Sequence, residues 1–378
     1  MKKRYIPYST QLIDESDISA VAKALRSDFL TQGPRVAEFE KSLARYCGAK
    51  YCVVMSSGTA ALHAACFAAG IKNGDEVITS PITFVASSNC VLYCGGKPVF
   101  ADIEDDGTAL ISTKEIEKKL TSRTKAIIPV DYAGQPCDMD RINSIAKKNG
   151  SIVIEDAAHS LGATYKGRKV GTLADMTALS FHAVKHITTG EGGAVVTDNK
   201  QFRDRLIMFR THGITRNVNG DGPWYYEMQE LGFNYRLTDF QCALGMSQLK
   251  KLDKFVARRR KIASTYDHEL SNIKGFDTPK EIEGAKSSYH LYPIMLKGGP
   301  LKRKLEIFNA LREKGLGVNV HYIPVPMQPY YRKTFGYKAG DFPVAEAFYK
   351  SEISIPIHQK MDNADVKAVI STVKEVIK

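Results

Sequence analysis

Between Tyr51 and Thr197, short apolar runs alternate with helix-patterned segments, and this constrains the fold more than anything else in the chain. Strands are expected at Tyr51–Met55, Glu76–Thr79, Pro98–Ile103, Ala126–Val130, Ser151–Asp156, Met176–Phe181 and Ala194–Thr197. Helices are expected at Ala60–Ala69, from about Ala86 to Tyr93, at Ser112–Leu120 and at Met139–Asn149. Strands that alternate with helices indicate an α/β domain with a mostly parallel sheet. Ligands of such sheets sit beyond the carboxyl ends of the strands, so the residues just after each run are where chemistry is sought.

Four of those strand ends carry usable groups. Ser56-Ser57-Gly58-Thr59 separates a strand from a helix. The first helical turn has free backbone N–H groups, and the hydroxyls of Ser57 and Thr59 add donors, which makes a phosphate cradle. Plain N-capping by Ser57 accounts for the same residues without a ligand. Phe84 lies in the turn after Glu76–Thr79, where an aromatic covers a flat ring or simply joins the core. Asp156 ends its strand with a carboxylate suited to a protonated nitrogen, or caps a helix, and His159 follows it either as an orienting group or on the surface. Lys185 sits in Ser180-Phe181-His182-Ala183-Val184-Lys185-His186-Ile187-Thr188-Thr189-Gly190-Glu191-Gly192-Gly193, between two β-like runs. That pattern places one amine, although an exposed hairpin lysine reads the same way.

The net charge of +12 points to nucleic acid, a membrane surface or an anionic small molecule. The basic residues are dispersed, with only Arg258-Arg259-Arg260-Lys261 clustered on a helical pattern that reads as a solvated face. No nucleic-acid motif accompanies them, and an anionic substrate or cofactor explains the charge. The seven cysteines are an odd number lying mostly in apolar runs, which favours buried free thiols, and their spacing offers no metal site. No apolar stretch approaches the ~20 residues of a membrane span. Met1-Lys2-Lys3-Arg4 is not followed by the apolar core of a signal peptide, so a cytoplasmic location is expected. Asp14–Arg26 and Val36–Cys47 read as helices, with the Gly33-Pro34 pair between them stopping regular structure. Ile214–Trp224 is a long polar loop, a length uncommon in a compact domain unless the loop is functional or mobile. The shift to charged helical sequence near residue 250 divides the chain into a large domain, 1–250 with an N-terminal arm, and a smaller α+β domain, 251–378.

Together these groups meet the needs of pyridoxal phosphate. A lysine forms a Schiff base with its aldehyde, a carboxylate keeps the pyridine nitrogen protonated, an aromatic covers the ring, and a helix start takes the phosphate.

The chain also resembles the sugar-nucleotide aminotransferases of the DegT/StrS type, on the fold-type I aminotransferase scaffold. The motifs are Leu30-Thr31-x-Gly33, Ser57-Gly58-Thr59, Glu155-Asp156-Ala157-Ala158-His159, Ser180-Phe181-His182-x-x-Lys185, Gly190-Glu191-Gly192-Gly193, Arg210-x-His212-Gly213, Asn234-Tyr235-Arg236-Leu237 and His321-Tyr322-x-Pro324. With Glu352-Ile353-Ser354-Ile355-Pro356-Ile357-His358, the lysine motif is most similar to the pseudaminic acid branch of the family. That branch aminates C4 of a UDP-linked 4-keto-6-deoxy-N-acetyl sugar with glutamate as donor. The resemblance implies Lys185 as the catalytic lysine and proton shuttle. It implies Asp156, His159, Phe84, Gly58, Thr59 and Ser180 as cofactor-binding residues, with Asn234 supplied by the other subunit of a homodimer. Tyr8, Asp28, Phe29, Leu30, Thr31, His321, Tyr322, Ile323 and Tyr330 are implied on the nucleotide-sugar side, with Arg236 there or buttressing the loop. Ala183 and Pro326 stand where proline and histidine are common in the family.

Three alternatives compete. One is a C3 or C4 aminotransferase for another UDP- or dTDP-linked keto-sugar. A second is a pyridoxamine-phosphate dehydratase relative, which carries histidine at the lysine position; Lys185 argues against it, although His186 lies next door. The third is a non-catalytic cofactor-binding regulator.

Overall fold

A computed structural model describes residues 5–216 and 222–377. The basic start Met1–Arg4 and the centre of the 214–224 loop lie outside the described residues. The flanks of that loop, Ile214–Thr215 and Glu227–Met228, pair as a short antiparallel ladder.

The expected alternation forms one seven-stranded sheet. Its strands are β1 (Tyr51–Met55), β2 (Glu76–Thr79), β3 (Lys97–Phe100), β4 (Thr124–Ile128), β5 (Ile152–Asp156), β6 (Met176–Ser180) and β7 (Gly193–Thr197). They lie in the order β1-β7-β6-β5-β4-β2-β3. The strands β2 to β6 are mutually parallel, and β7 runs antiparallel to both β6 and β1. Alternate residues of one strand point to opposite faces. Accordingly Val53 and Met55 join one buried cluster, while Cys52 and Val54 join another on the far face. A sheet buried on both sides explains why its strands read as near-continuous apolar runs.

Helices α1 (Glu15–Leu25) and α2 (Pro34–Cys47) precede the sheet. The Gly33-Pro34 pair starts a helix rather than ending structure: Gly33 is the N-cap and Pro34 opens α2, where a missing N–H is no loss. Helix α3 (Gly58–Ala68) is apolar nearly all round and lies under the sheet, and α4 (Ala86–Tyr93) follows β2. Close backbone approach sets where α3 begins. A Cβ on Gly193 would run into the Ser57 carbonyl, so only glycine lets β7 pass beneath the start of α3.

Beyond Leu252 the helix Leu252–Leu270 leads to a three-stranded antiparallel sheet of Phe276–Asp277, Tyr292–Leu296 and Glu352–Ile355. These strands share a third buried cluster with Ile262, Tyr266 and the final helix, Asn363–Ile377. The N-terminal arm joins this cluster through Ile6. Ile6 exchanges backbone bonds with Gly315 and Gly317, and Ile357 N–H donates to the Tyr8 carbonyl at 3.0 Å.

The Arg258-Arg259-Arg260 run corrects a sequence expectation, because it is not a solvated face. Arg259 is 0% exposed. Its guanidinium donates to the carbonyls of Tyr289, His290 and Ile357 and to Gln359 Oε1. Arg258 and Arg260 donate to the carbonyls of Met361, Ser287 and Lys286. The carbonyl oxygens come from segments remote in sequence, so only the folded chain makes the helix face polar. All seven cysteines are free thiols, and all but the half-buried Cys94 are buried.

Candidate active site

A cavity of about 490 Å³ opens at the carboxyl ends of the sheet strands. Its wall includes Tyr8, Gly58, Thr59, Phe84, Asp156, His159, Ser180, Lys185, His321 and Tyr322, so ten of the residues expected from sequence meet in one place. Asp28, Phe29, Leu30, Thr31, Asn234, Arg236, Ile323 and Tyr330 do not line it. Leu30 and Thr31 pack against the start of Asp239–Leu249, where Asp239 N–H donates to the Leu30 carbonyl. Asn234 bridges Thr211 and is exposed.

Lys185 lies in the long turn between β6 and β7, on the cavity wall. Its own N–H donates to the His182 carbonyl at 2.9 Å, and Ser9 Oγ donates to the Val184 carbonyl at 3.0 Å. The arm therefore clamps the turn that presents the amine. Burial lowers the Lys185 pKa to about 8; Asp156 opposes this and the Arg259 charge adds to it. An amine in that range gives and takes protons near neutrality.

Asp156 is buried at the end of β5. It caps no helix. Its Oδ1 accepts from Ala158 N–H at 3.2 Å and its Oδ2 from Ser87 Oγ at 2.5 Å. Burial raises its pKa, while Ser87, Ala158 and the nearby Lys185 favour the charged form. His159 is also buried rather than on the surface. Its Nε2 meets Tyr322 Oη at 3.2 Å, its ring stacks against Tyr322, and burial holds it neutral. Phe84 is 58% exposed beside the cavity, so it is not a core residue.

At the start of α3, Ser57 Oγ accepts from Ala60 N–H at 3.0 Å. Ser57 is thus an N-cap, and the first-turn amides of Gly58 and Thr59 remain open to the cavity. A Cβ on Gly58 would lie 2.9 Å from Ser180 Cβ, so glycine here leaves the cradle free and brings Ser180 against it. An open helix start, a placed amine and a hydrogen-bonded carboxylate fit pyridoxal phosphate.

Several wall residues carry no motif in the sequence. Ser87 and Thr83 form a hydroxyl pair, 2.6 Å apart, behind Asp156. His290 packs against His159 with ring centroids 4.3 Å apart. His186 is buried, meets the Ser288 carbonyl through Nε2 at 3.1 Å, and lies 5.6 Å from the His290 ring, so it supports the floor rather than facing the cavity. The Glu352–His358 segment also acquires a role. Glu352 Oε2 accepts from the His321 backbone N–H at 2.8 Å, and Glu352 Oε1 accepts from Ser354 Oγ at 2.5 Å. Burial pushes Glu352 up to about 8, against the pull of the Ser354 and His321 hydrogen bonds and the Lys304 charge.

The chain belongs to the DegT/DnrJ/EryC1/StrS aminotransferase family, whose sequence pattern matches residues 11–374. It is a pyridoxal-phosphate-dependent enzyme on the fold-type I aminotransferase architecture. It is 44% identical over 375 residues to the UDP-4-amino-4,6-dideoxy-N-acetyl-beta-L-altrosamine transaminase of Campylobacter jejuni strain 81-176, covering 98% of this chain and 97% of that one. Among solved structures it superposes on Helicobacter pylori PseC, an aminotransferase involved in the biosynthesis of pseudoaminic acid. The TM-score is 0.93 at 35% identity, with 99% of each chain covered. The PLP form of the putative sugar aminotransferase Spr1654 from Streptococcus pneumoniae gives a TM-score of 0.92 at 33% identity over 98% of both chains. No helix among the described residues is long and apolar enough to cross a membrane.

Proposed function

We propose that this enzyme transfers the amino group of L-glutamate to the C4 ketone of a UDP-linked 4-keto-6-deoxy-N-acetylhexosamine, as a step of pseudaminic acid synthesis in the cytoplasm. The observation that carries the chemistry is the meeting of Lys185, Asp156 and the open start of α3 on one cavity. The choice of sugar rests on the 44% identity to a named altrosamine transaminase.

Pyridoxal phosphate, when bound, supplies an electron sink beside the reacting carbon. Gly58, Thr59 and Ser180 would hold its phosphate, Asp156 its ring nitrogen, and Phe84 and His159 its faces. Lys185 Nζ moves the proton on and off the reacting carbon, once for the amino donor and once for the sugar. Tyr8, His321 and Tyr322 form the outer wall, where the sugar would lie.

We further propose a homodimer with shared sites. Phe29, Leu30, Trp224, Met228 and Leu231 are exposed large apolar side chains that a monomer would leave in water. Asn234 and the Asp28–Thr31 loop, which miss the cavity of their own chain, would then serve the neighbouring one. We propose as well that the chain divides into a large domain, 1–250, and a small one, 251–378.

The test is turnover of a panel of UDP- and dTDP-linked 3-keto and 4-keto sugars with glutamate, following 2-oxoglutarate. Amination of the UDP-linked 4-keto sugar is expected, and turnover of 3-keto sugars alone would reject the C4 assignment.

A further inference from the structure

Asn319 faces the cavity, and three buried residues hold its amide in one orientation. Asn319 Oδ1 accepts from Val320 N–H at 2.9 Å. Its Nδ2 therefore points at His321 Nε2, 3.3 Å away, and donates to it. Burial holds His321 neutral, down to about 3, with the Lys185 charge adding to the effect. A neutral ring that accepts at Nε2 must carry its proton on Nδ1, which lies 2.8 Å from Ser354 Oγ. Ser354 then accepts from His321 and gives its own proton to Glu352 Oε1.

The donors run one way, from Asn319 through His321 and Ser354 to Glu352 Oε1. Rotating the amide would set two donors together at Val320, whose backbone N–H can only donate. The backbone is fixed as well, because Asn319 and Ser354 exchange both of their backbone hydrogen bonds. Among the described residues the second hydrogen on Asn319 Nδ2 has no partner.

We propose that Asn319 is a specificity-determining residue that donates to a proton-free acceptor oxygen of the substrate, and that Glu352 and Ser354 are positioning residues that keep it a donor. Such an oxygen is a phosphate or a carbonyl, and a nucleotide-linked N-acetyl sugar carries both. The inference rests on the nucleotide-sugar reading above. It gives His321 an inward task, acting through Asn319, where sequence placed it only on the substrate side.

The experiment measures binding of UDP and of UDP-N-acetylglucosamine to the cofactor-loaded enzyme by calorimetry. Asn319→Asp replaces the donor with an acceptor and is expected to weaken binding at least about tenfold, a loss of about 1.4 kcal/mol. Equal loss for both ligands assigns the acceptor to a phosphate, and loss for the sugar nucleotide alone assigns it to the acetamido carbonyl. Unchanged affinity for both overturns the proposal. If the wild-type enzyme binds neither ligand, the nucleotide-sugar reading fails and the proposal falls with it.

Nitrogen NMR on histidine-labelled protein reads the relay separately. The His321 ring is expected protonated at Nδ1 in the wild type and in Ser354→Thr, and shifted toward Nε2–H in Glu352→Gln. The amide introduced by that substitution would have to donate to Ser354 while accepting from the His321 backbone N–H. A ring already protonated at Nε2 in the wild type, or a Glu352→Gln ring that stays protonated at Nδ1, would overturn the positioning role.

Discussion

Ser87 Oγ donates to Asp156 Oδ2 at 2.5 Å, and Thr83 Oγ1 stands 2.6 Å behind Ser87. The carboxylate that would hold the ring nitrogen is therefore supported by a hydroxyl pair, Thr83 from the turn that carries Phe84 and Ser87 from the helix that follows. Burial pushes Asp156 up, and Ser87 is the foremost influence pulling it back. Removing the hydroxyl in Ser87→Ala raises Asp156 further, so its charged form is lost at a higher pH. The acid limb of the kcat/KM profile is expected to move upward. kcat at neutral pH should fall about tenfold, the scale of one hydrogen bond to a charged group. An unmoved acid limb would show that Ser87 does not tune Asp156.

Lys185 makes an opposing demand on stability. Its folded pKa, about 8, lies below the ordinary 10.5. Below about pH 8 the folded protein must carry a half-buried ammonium, and that cost is fully present. Between about 8 and 10.5 the folded state has released the proton while the unfolded chain still binds it, so stability rises with pH across that window. Lys185→Met removes the cost. The cofactor-free variant is expected to be more stable than cofactor-free wild type at pH 7 by about 1 to 2 kcal/mol, less than the full shift implies because Asp156 loses its neighbouring cation. The advantage should vanish near pH 10.5 in denaturant titrations. The same variant should lose the visible absorbance of lysine-bound cofactor and turnover by at least about 10⁴-fold.

Gly193 and Gly58 are predicted to fail in different ways. A Cβ at Gly193 meets the Ser57 carbonyl oxygen and lies 2.7 Å from the Gly58 nitrogen, and backbone cannot step aside cheaply. Gly193→Ala should destabilise the protein by about 1 to 3 kcal/mol. At Gly58 the neighbour is the Ser180 side chain at 2.9 Å. Gly58→Ala should fold, yet bind pyridoxal phosphate about tenfold or more weakly, measured by equilibrium dialysis. Equal thermal melts with normal cofactor affinity in both variants would contradict the close-approach account.

The parts of this site that were legible in the sequence are those that strand ends dictate. Asp156 ends β5, Lys185 follows β6 and Gly58 follows β1, so reading the sheet placed all three. Asn319, Ser354 and Glu352 were not legible in the same way. His321 and Ser354 are 33 residues apart, and their bond exists only because the backbones of Asn319 and Ser354 pair. Arg259 was hidden by its neighbours, since a run of arginines on a helix looks solvated until the carbonyls around it are known. Asn234 and Arg236 match family motifs yet miss the cavity of their own chain; for Asn234 that is what a residue serving a second subunit would do.

That last relationship gives the sharpest test of the shared site. Asn234 is exposed, a few residues along the chain from the exposed apolar side chains of Met228 and Leu231. If it serves the neighbouring chain, Lys185→Ala and Asn234→Ala damage different halves of each site. Homodimers of either variant carry the defect in every site. A hybrid of the two carries both defects in one site and none in the other. Unfolding and refolding equal amounts together makes about half the dimers hybrid, so about a quarter of all sites become intact. Activity of the mixture is expected to rise to about a quarter of wild type from near zero for the lysine variant alone. No rise beyond the average of the two variants, with hybrids present by mass spectrometry, would place Asn234 in its own chain's site. A Leu231→Glu variant should weaken the dimer and lose activity in parallel, seen as concentration-dependent turnover matched to the monomer fraction on light scattering.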